Sequence, residues 1–193
     1  MKFNSGSKDF ENPPAGSHAA VCVKVIDIGT QPSSYQGKPA EPKRKLRIFW
    51  ELAETMADGR PFLAMQKYTA SLHKKAALRR DVESWTGIKL TDAQIEGFSP
   101  RILLGKPCLL GLVESDDGNY VNVKSIMKLP KEMAAPKPVG ELIYFDLDNF
   151  DAQVFSKFSE KTKATIMQSP EYQRLNTEDA PEAGGDHSDD IPF

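Results

Sequence analysis

Lys45, Arg47 and Phe49 stand at alternate positions of the run 44–53, a spacing that places two cations and a ring on one face of an extended strand. Cationic side chains neutralise phosphates and an exposed ring is a platform for a base, so this trio has the composition that binds single-stranded nucleic acid. The intervening Leu46, Ile48, Trp50 and Leu52 make the better core face. An ordinary solvated face with one stray Phe would read the same way. Tyr120 and Lys124 repeat the ring-and-cation spacing around Asn122, with Val121 and Val123 opposite. Lys67 adds a cation in a neighbouring run, on the opposite face from Tyr68. Tyr35 and Lys38 lie mid-way through a Pro- and Ser-rich stretch that can close over a bound strand. Tyr35, Lys38, Lys45, Arg47, Phe49, Lys67, Tyr120 and Lys124 are therefore the expected nucleic-acid contacts. Lys74, Lys75, Arg79 and Arg80 either extend this phosphate track or form a plain solvated face.

Other chemistries find less support. Phosphoryl transfer needs clustered carboxylates for Mg²⁺, and a nucleotide-driven motor needs a Gly-rich phosphate loop ending in Lys-Ser or Lys-Thr; neither pattern is present. Asp116 and Asp117 precede Gly118-Asn119 and read as a turn. His18, His73 and His187 are scattered, while Cys22 and Cys108 sit in apolar, strand-like runs as buried thiols. The expectation is a protein without cofactor, metal or catalytic residues. A nuclease or recombination enzyme, or a protein adaptor that binds no DNA, are the competing readings.

The sequence closes on Asp189-Asp190-Ile191-Pro192-Phe193. Phe193 offers a ring for an apolar pocket, its carboxylate a charge for a basic clamp, and Pro192 restricts the conformations that binding must freeze. No Lys or Arg occurs from Asn176 onward. These five residues are the expected site for a protein partner, where a tail serving solubility alone would not need the apolar triplet. Charge divides accordingly. Residues 1–133 carry 20 Lys and Arg against 15 Asp and Glu, a balance of +5; residues 134–193 carry 5 against 12, a balance of −7. A basic body suits phosphates, and the acidic tail is repelled by them.

With 193 residues, 39% of them hydrophobic and 27% charged, the chain suits one domain with appendages. The run 19–29 reads as a first strand, 30–42 as an exposed loop, 44–53 and 62–69 as a hairpin about Asp58-Gly59. Leu72, Ala76, Leu78, Val82 and Trp85 follow helical spacing, capped by Ser71 and stopped at Gly87, with Trp85 in the core. Strands at 102–114 and 120–129 follow. Three strands, a helix and two strands is the order of the five-stranded Greek-key barrel called the OB-fold, with its helix between strands three and four; a split α+β sheet would read much the same. The expected division is a single-strand-binding domain over 1–133, a linker over 134–141, a helical appendage over 142–175 and a disordered acidic tail over 176–193. The appendage, with one helix over 151–168 ended by Ser169-Pro170, packs on the barrel, on a second copy or on a partner.

The terminal Asp-Asp-Ile-Pro-Phe resembles the tips of bacterial and phage single-stranded DNA-binding proteins. Together with the lead-in 12–18, the block 67–73, Leu78-Arg79-Arg80 and Glu83-Ser84-Trp85-Thr86-Gly87, the chain looks like a phage-encoded member of that class with an OB-fold. The resemblance implies a protein that coats and protects single-stranded DNA during replication and recombination without sequence preference, and recruits replication or recombination proteins through the tip. Bacterial members usually form tetramers through a domain lacking this helix insertion, so tetramer assembly does not carry over, and a homodimer stays open. No apolar run is long enough to cross a bilayer and residues 1–8 lack the apolar core of a signal peptide. The expected location is the cytoplasm, that of the bacterial host if the chain is phage-encoded.

Overall fold

Small and β-branched residues carry the chain from Gly16 to Tyr35 in one strand, β1, which is the spine of the sheet. The computed structural model describes residues 11–178, apart from the side chains of Tyr35 and 176–178; the tip 189–193 lies outside the described residues. β2 (Lys38–Thr55) and β3 (Pro61–Thr69) follow as hairpins. After two helices come β4 (Pro107–Glu114) and β5 (Val121–Met127). The hydrogen-bonded order is β3-β2-β1-β4-β5, with every neighbouring pair antiparallel. A sixth strand, β6 (Ile143–Phe145), adds in parallel to Lys24, Val25 and Ile26 of β1. The architecture is mainly β, with six strands rather than the five expected. β3 and β5 approach each other but share no ladder, so in its hydrogen bonding the sheet is open.

The stretch 30–42 is not a loop. The β1–β2 ladder continues through it to the pair Tyr35 and Lys38. Gln36 and Gly37 both have positive φ, 50° and 75°, the backbone of the two-residue turn whose twist matches its flanking strands. Pro32, Pro39 and Pro42 are tolerated because β1 beyond Ile26 and β2 before Lys45 have only each other as ladder partners, so a missing N–H interrupts no second ladder.

Helix α1 (Ala77–Thr86) starts later than its spacing suggests. Ala76 is the N-cap and provides no side-chain acceptor, while Ser71 accepts the His73 N–H in a separate turn. Gly87 closes the helix at φ 72°, as expected of a left-handed C-cap. Leu78, Val82 and Trp85 form the buried face. Trp85 lies 5.8 Å from Trp50 between ring centroids and donates its indole N–H to the Pro107 carbonyl. α2 (Asp92–Glu96) is held by a capping box from Thr91 and Gln94. Ile102 and Leu103 belong to a 3-10 turn (Pro100–Leu103) started by Pro100 rather than to β4.

Two apolar clusters flank β1 and β2. Leu46, Ile48, Trp50 and Leu52 fill the first with Trp85 and Leu110, as alternation predicts. A register shift between Cys22 and Lys24 changes which residues of β1 face inward. Ala20, Cys22 and Val25 therefore enter the first cluster, whereas Ile26 and Ile28 enter the second. Residues 142–178 build that second cluster. They form β6, a 3-10 turn (Leu147–Asn149), and helices α3 (Ala152–Ser156), α4 (Glu160–Met167) and α5 (Pro170–Glu178), in place of one long helix. Asp151 and Ser159 cap α3 and α4, and these caps interrupt the expected 151–168 helix. Pro170 opens α5, a position where its absent N–H costs nothing. The appendage thus packs on the sheet, and its last helix takes in residues 176–178 of the stretch expected to be disordered.

Candidate nucleic-acid interface

Lys43 and Lys45 extend outward two residues apart on β2, and the ladder sets Lys45 against Thr69 and Arg47 against Lys67 on β3. Alternation across two antiparallel strands thereby collects Lys43, Lys45 and Lys67 on one surface. The turn before α1 adds His73 and Lys75. Together they line one groove of about 540 Å³ at the end of the β2–β3 hairpin. Lys45 is half-buried and donates from Nζ to the Thr69 hydroxyl at 2.7 Å. Burial, and then repulsion from Lys67 and Lys43, hold its ammonium below the usual lysine range. A bound phosphate would relieve that repulsion. Of the expected contacts, Lys45 and Lys67 are brought together here.

Arg47 and Phe49 share the outward face of β2 with Lys45, but not its access to solvent. Phe49 packs into the second apolar cluster, against the appendage. Arg47 donates to the Thr162 hydroxyl of α4 at 3.3 Å, and its Nε is buried without a hydrogen-bond partner. Desolvation lowers the basicity of this guanidinium. The expected ring-and-cation surface therefore divides: its Lys45 end is open, while its Phe49 end is roofed by residues 142–178. Alternation locates a residue on a face but cannot tell whether a later segment covers it.

Tyr120 and Lys124 are exposed, Tyr120 at 65%. Tyr120 stands at the head of β5 beside the Asp116–Asn119 turn, where its N–H is accepted by the Ser115 hydroxyl. Neither residue lines the lysine groove. Lys38 is exposed near the tip of the β1–β2 ribbon, paired in the ladder with Tyr35; the Tyr35 side chain lies outside the described residues. Lys43 and His73 are groove residues that the sequence pattern did not single out. Lys43 was legible in principle, as the first member of the alternating set Lys43, Lys45, Arg47. The basic patch before and on α1 splits, because Lys75 joins the groove whereas Arg79 is tied to Glu83 at 3.0 Å and to the carbonyls of Leu72 and Leu90.

Behind the groove, a cavity of about 330 Å³ opens at the sheet's end. Leu46, Leu72, Leu78, Phe98 and Tyr144 wall it, and Arg44, Asp27, Asp146 and Asp148 stand at its rim. Arg44 donates to Asp27 from Nε and Nη2 and to Asp148 from Nη1. Its basicity is raised, chiefly by the Asp27 hydrogen bond. Among the described residues, no group of three or more His, Cys, Asp or Glu is placed to hold a metal ion. No helix among them is long and apolar enough to cross a membrane. Comparison of the sequence with protein-family models and with curated proteins gives no significant match.

Proposed function

We propose that this chain binds and protects single-stranded DNA in phage replication and recombination, and recruits replication or recombination proteins through Asp189-Asp190-Ile191-Pro192-Phe193. The observation that carries the DNA-binding half is the convergence of Lys43, Lys45, Lys67 and Lys75 on one groove. Four cations in a groove with no carboxylate among its described lining residues attract a chain of phosphates, and they do so without reading sequence. Tyr120 supplies the exposed ring on which a base stacks. We read the five strands β1–β5 with α1 between β3 and β4 as an OB-fold, a reading supported by the element order and by the approach of β3 to β5. The function is binding, without a catalytic step.

Fluorescence anisotropy of labelled oligo-dT and of a matched duplex, each at two salt concentrations, tests this reading. The expected result is preference for the single strand, with log K falling against log salt at a slope of roughly −3, as four neutralised phosphates require. Absence of binding to both strands would overturn it and leave a protein adaptor, whose tail and appendage recruit proteins only.

A further inference from the structure

The cavity behind the lysine groove has no part in a pure phosphate track. Resting on the single-strand reading above, we infer that it is a nucleobase subsite that selects bases carrying an exocyclic amine. Its volume of about 330 Å³ is at the small end of clefts that hold ligands. Its walls suit a flat apolar body. Leu46, Leu72 and Leu78 are aliphatic, and Phe98 and Tyr144 are aromatic rings that accept stacking.

The rim decides which body. Three carboxylates, Asp27, Asp146 and Asp148, face one cation, Arg44. Arg44 donates to Asp27 and Asp148 and stands 3.5 Å from Asp146, so its charge is already matched by carboxylates rather than presented to a phosphate. Asp27 is saturated as well, accepting from the Gly29 and Leu147 N–H groups besides Arg44. Asp146 already accepts from the Asp148 N–H and the Tyr144 hydroxyl, which leaves Asp148, its side chain 65% exposed, as the acceptor most open to solvent. A surplus of acceptors repels a phosphate and favours an N–H donor. Cytosine, adenine and guanine present an exocyclic NH₂ group; thymine has a carbonyl oxygen at that position, and its one base donor, N3–H, is flanked by two carbonyl oxygens that the carboxylates repel.

Position joins the two surfaces. Ser71 lines both the lysine groove and the cavity. Lys43 and Lys45 project from one face of β2 while Arg44 and Leu46 project from the other, so the backbone of a bound strand follows the lysines and one base turns over the Ser71 lip. Binding along the track stays independent of sequence, and one position per footprint discriminates.

Anisotropy titrations of oligo-dC and oligo-dT with the full chain test the assignment. Two variants accompany the native protein: Ala70→Trp, which fills the cavity from an exposed position on its lining, and Asp148→Ala, which removes a rim acceptor; thermal melts check both folds. The native protein is expected to bind dC more tightly than dT by on the order of tenfold, the worth of a hydrogen bond to a charged group. Either variant should bring that ratio toward one while dT affinity stays level or rises. Equal dC and dT affinity in the native protein, or a ratio unmoved by both folded variants, would overturn the subsite and leave the single-strand reading standing. No binding of either oligonucleotide at low salt would overturn both.

Discussion

Lys45 and Phe49 lie four residues apart on one face of β2 and have opposite roles. Lys45 is basic under duress, held below the usual range by burial and by Lys67 and Lys43. A phosphate in the groove would favour its charged form, so binding is expected to weaken as pH rises through the lowered value. The expected outcome is an oligo-dT affinity that begins to decline below the ordinary lysine value of 10.5, and a flatter profile for Lys45→Arg. For stability the sign is opposite: a depressed lysine favours the unfolded, protonated state below its ordinary value, so this group's penalty shrinks as pH rises. Phe49 belongs to the second apolar cluster. Phe49→Ala should cost ~2 kcal/mol by cavity formation at a half-buried site, lowering Tm by roughly 4–8 °C. Tyr120→Ala, at an exposed ring, should leave Tm unchanged and cost binding about 1–3 kcal/mol if a base stacks there. Melting curves and anisotropy on the same two variants separate the roles.

The appendage is held to the sheet by a few named contacts. Glu51, 7% exposed, accepts the N–H groups of Val139 and Gly140, so a buried carboxylate clamps the linker where it re-enters the sheet. At the other end Glu171 of α5 accepts the N–H and hydroxyl of Thr30. Burial pushes the Glu171 carboxyl upward, but the Thr30 hydrogen bonds prevail and hold it below its usual value. A depressed carboxylate contributes stability above its unfolded value of 4.5 and loses it as pH falls through the folded one. The melting difference between native protein and Glu171→Gln should therefore be full at pH 7 and vanish in acid, once pH has fallen through the lowered folded value. Gly29 sits between these elements. Its φ is +71°, and an added Cβ would collide with the Ser169 side chain. Gly29→Ala should cost roughly 1–3 kcal/mol through strain and overpacking, read as a lowered denaturation midpoint. If that midpoint is unchanged, α5 is not docked in solution as described.

At the scale of the molecule, charge divides between a basic body and an acidic end. On the function proposed above, the lysine groove takes phosphates and deletion of Ile191, Pro192 and Phe193 should abolish partner capture while leaving oligonucleotide affinity level; a partner that still binds the shortened chain would contradict recruitment through the tip. Much of this organisation was legible in the residues themselves. Period-two alternation assigned Leu46, Ile48, Trp50 and Leu52 to the core, because a pleated strand allows two faces and only one of them excludes polar groups. Helical spacing assigned Leu78, Val82 and Trp85 to one buried stripe for the same kind of reason. Asp58-Gly59 and Gly87 marked their turn and helix stop through local backbone preference. What escaped the sequence depended on contacts between distant segments. Prolines disguised the 30–42 ribbon, since their cost depends on how many neighbours a strand has. Residues 142–178 were recognisably apolar, yet only the fold seats them over Phe49 and Arg47. The meeting of Lys43, Lys45 and Lys67 with Lys75 likewise rests on strand register and on the path from β3 into α1. Local periodicity states which face a side chain takes; tertiary packing decides whether that face meets solvent.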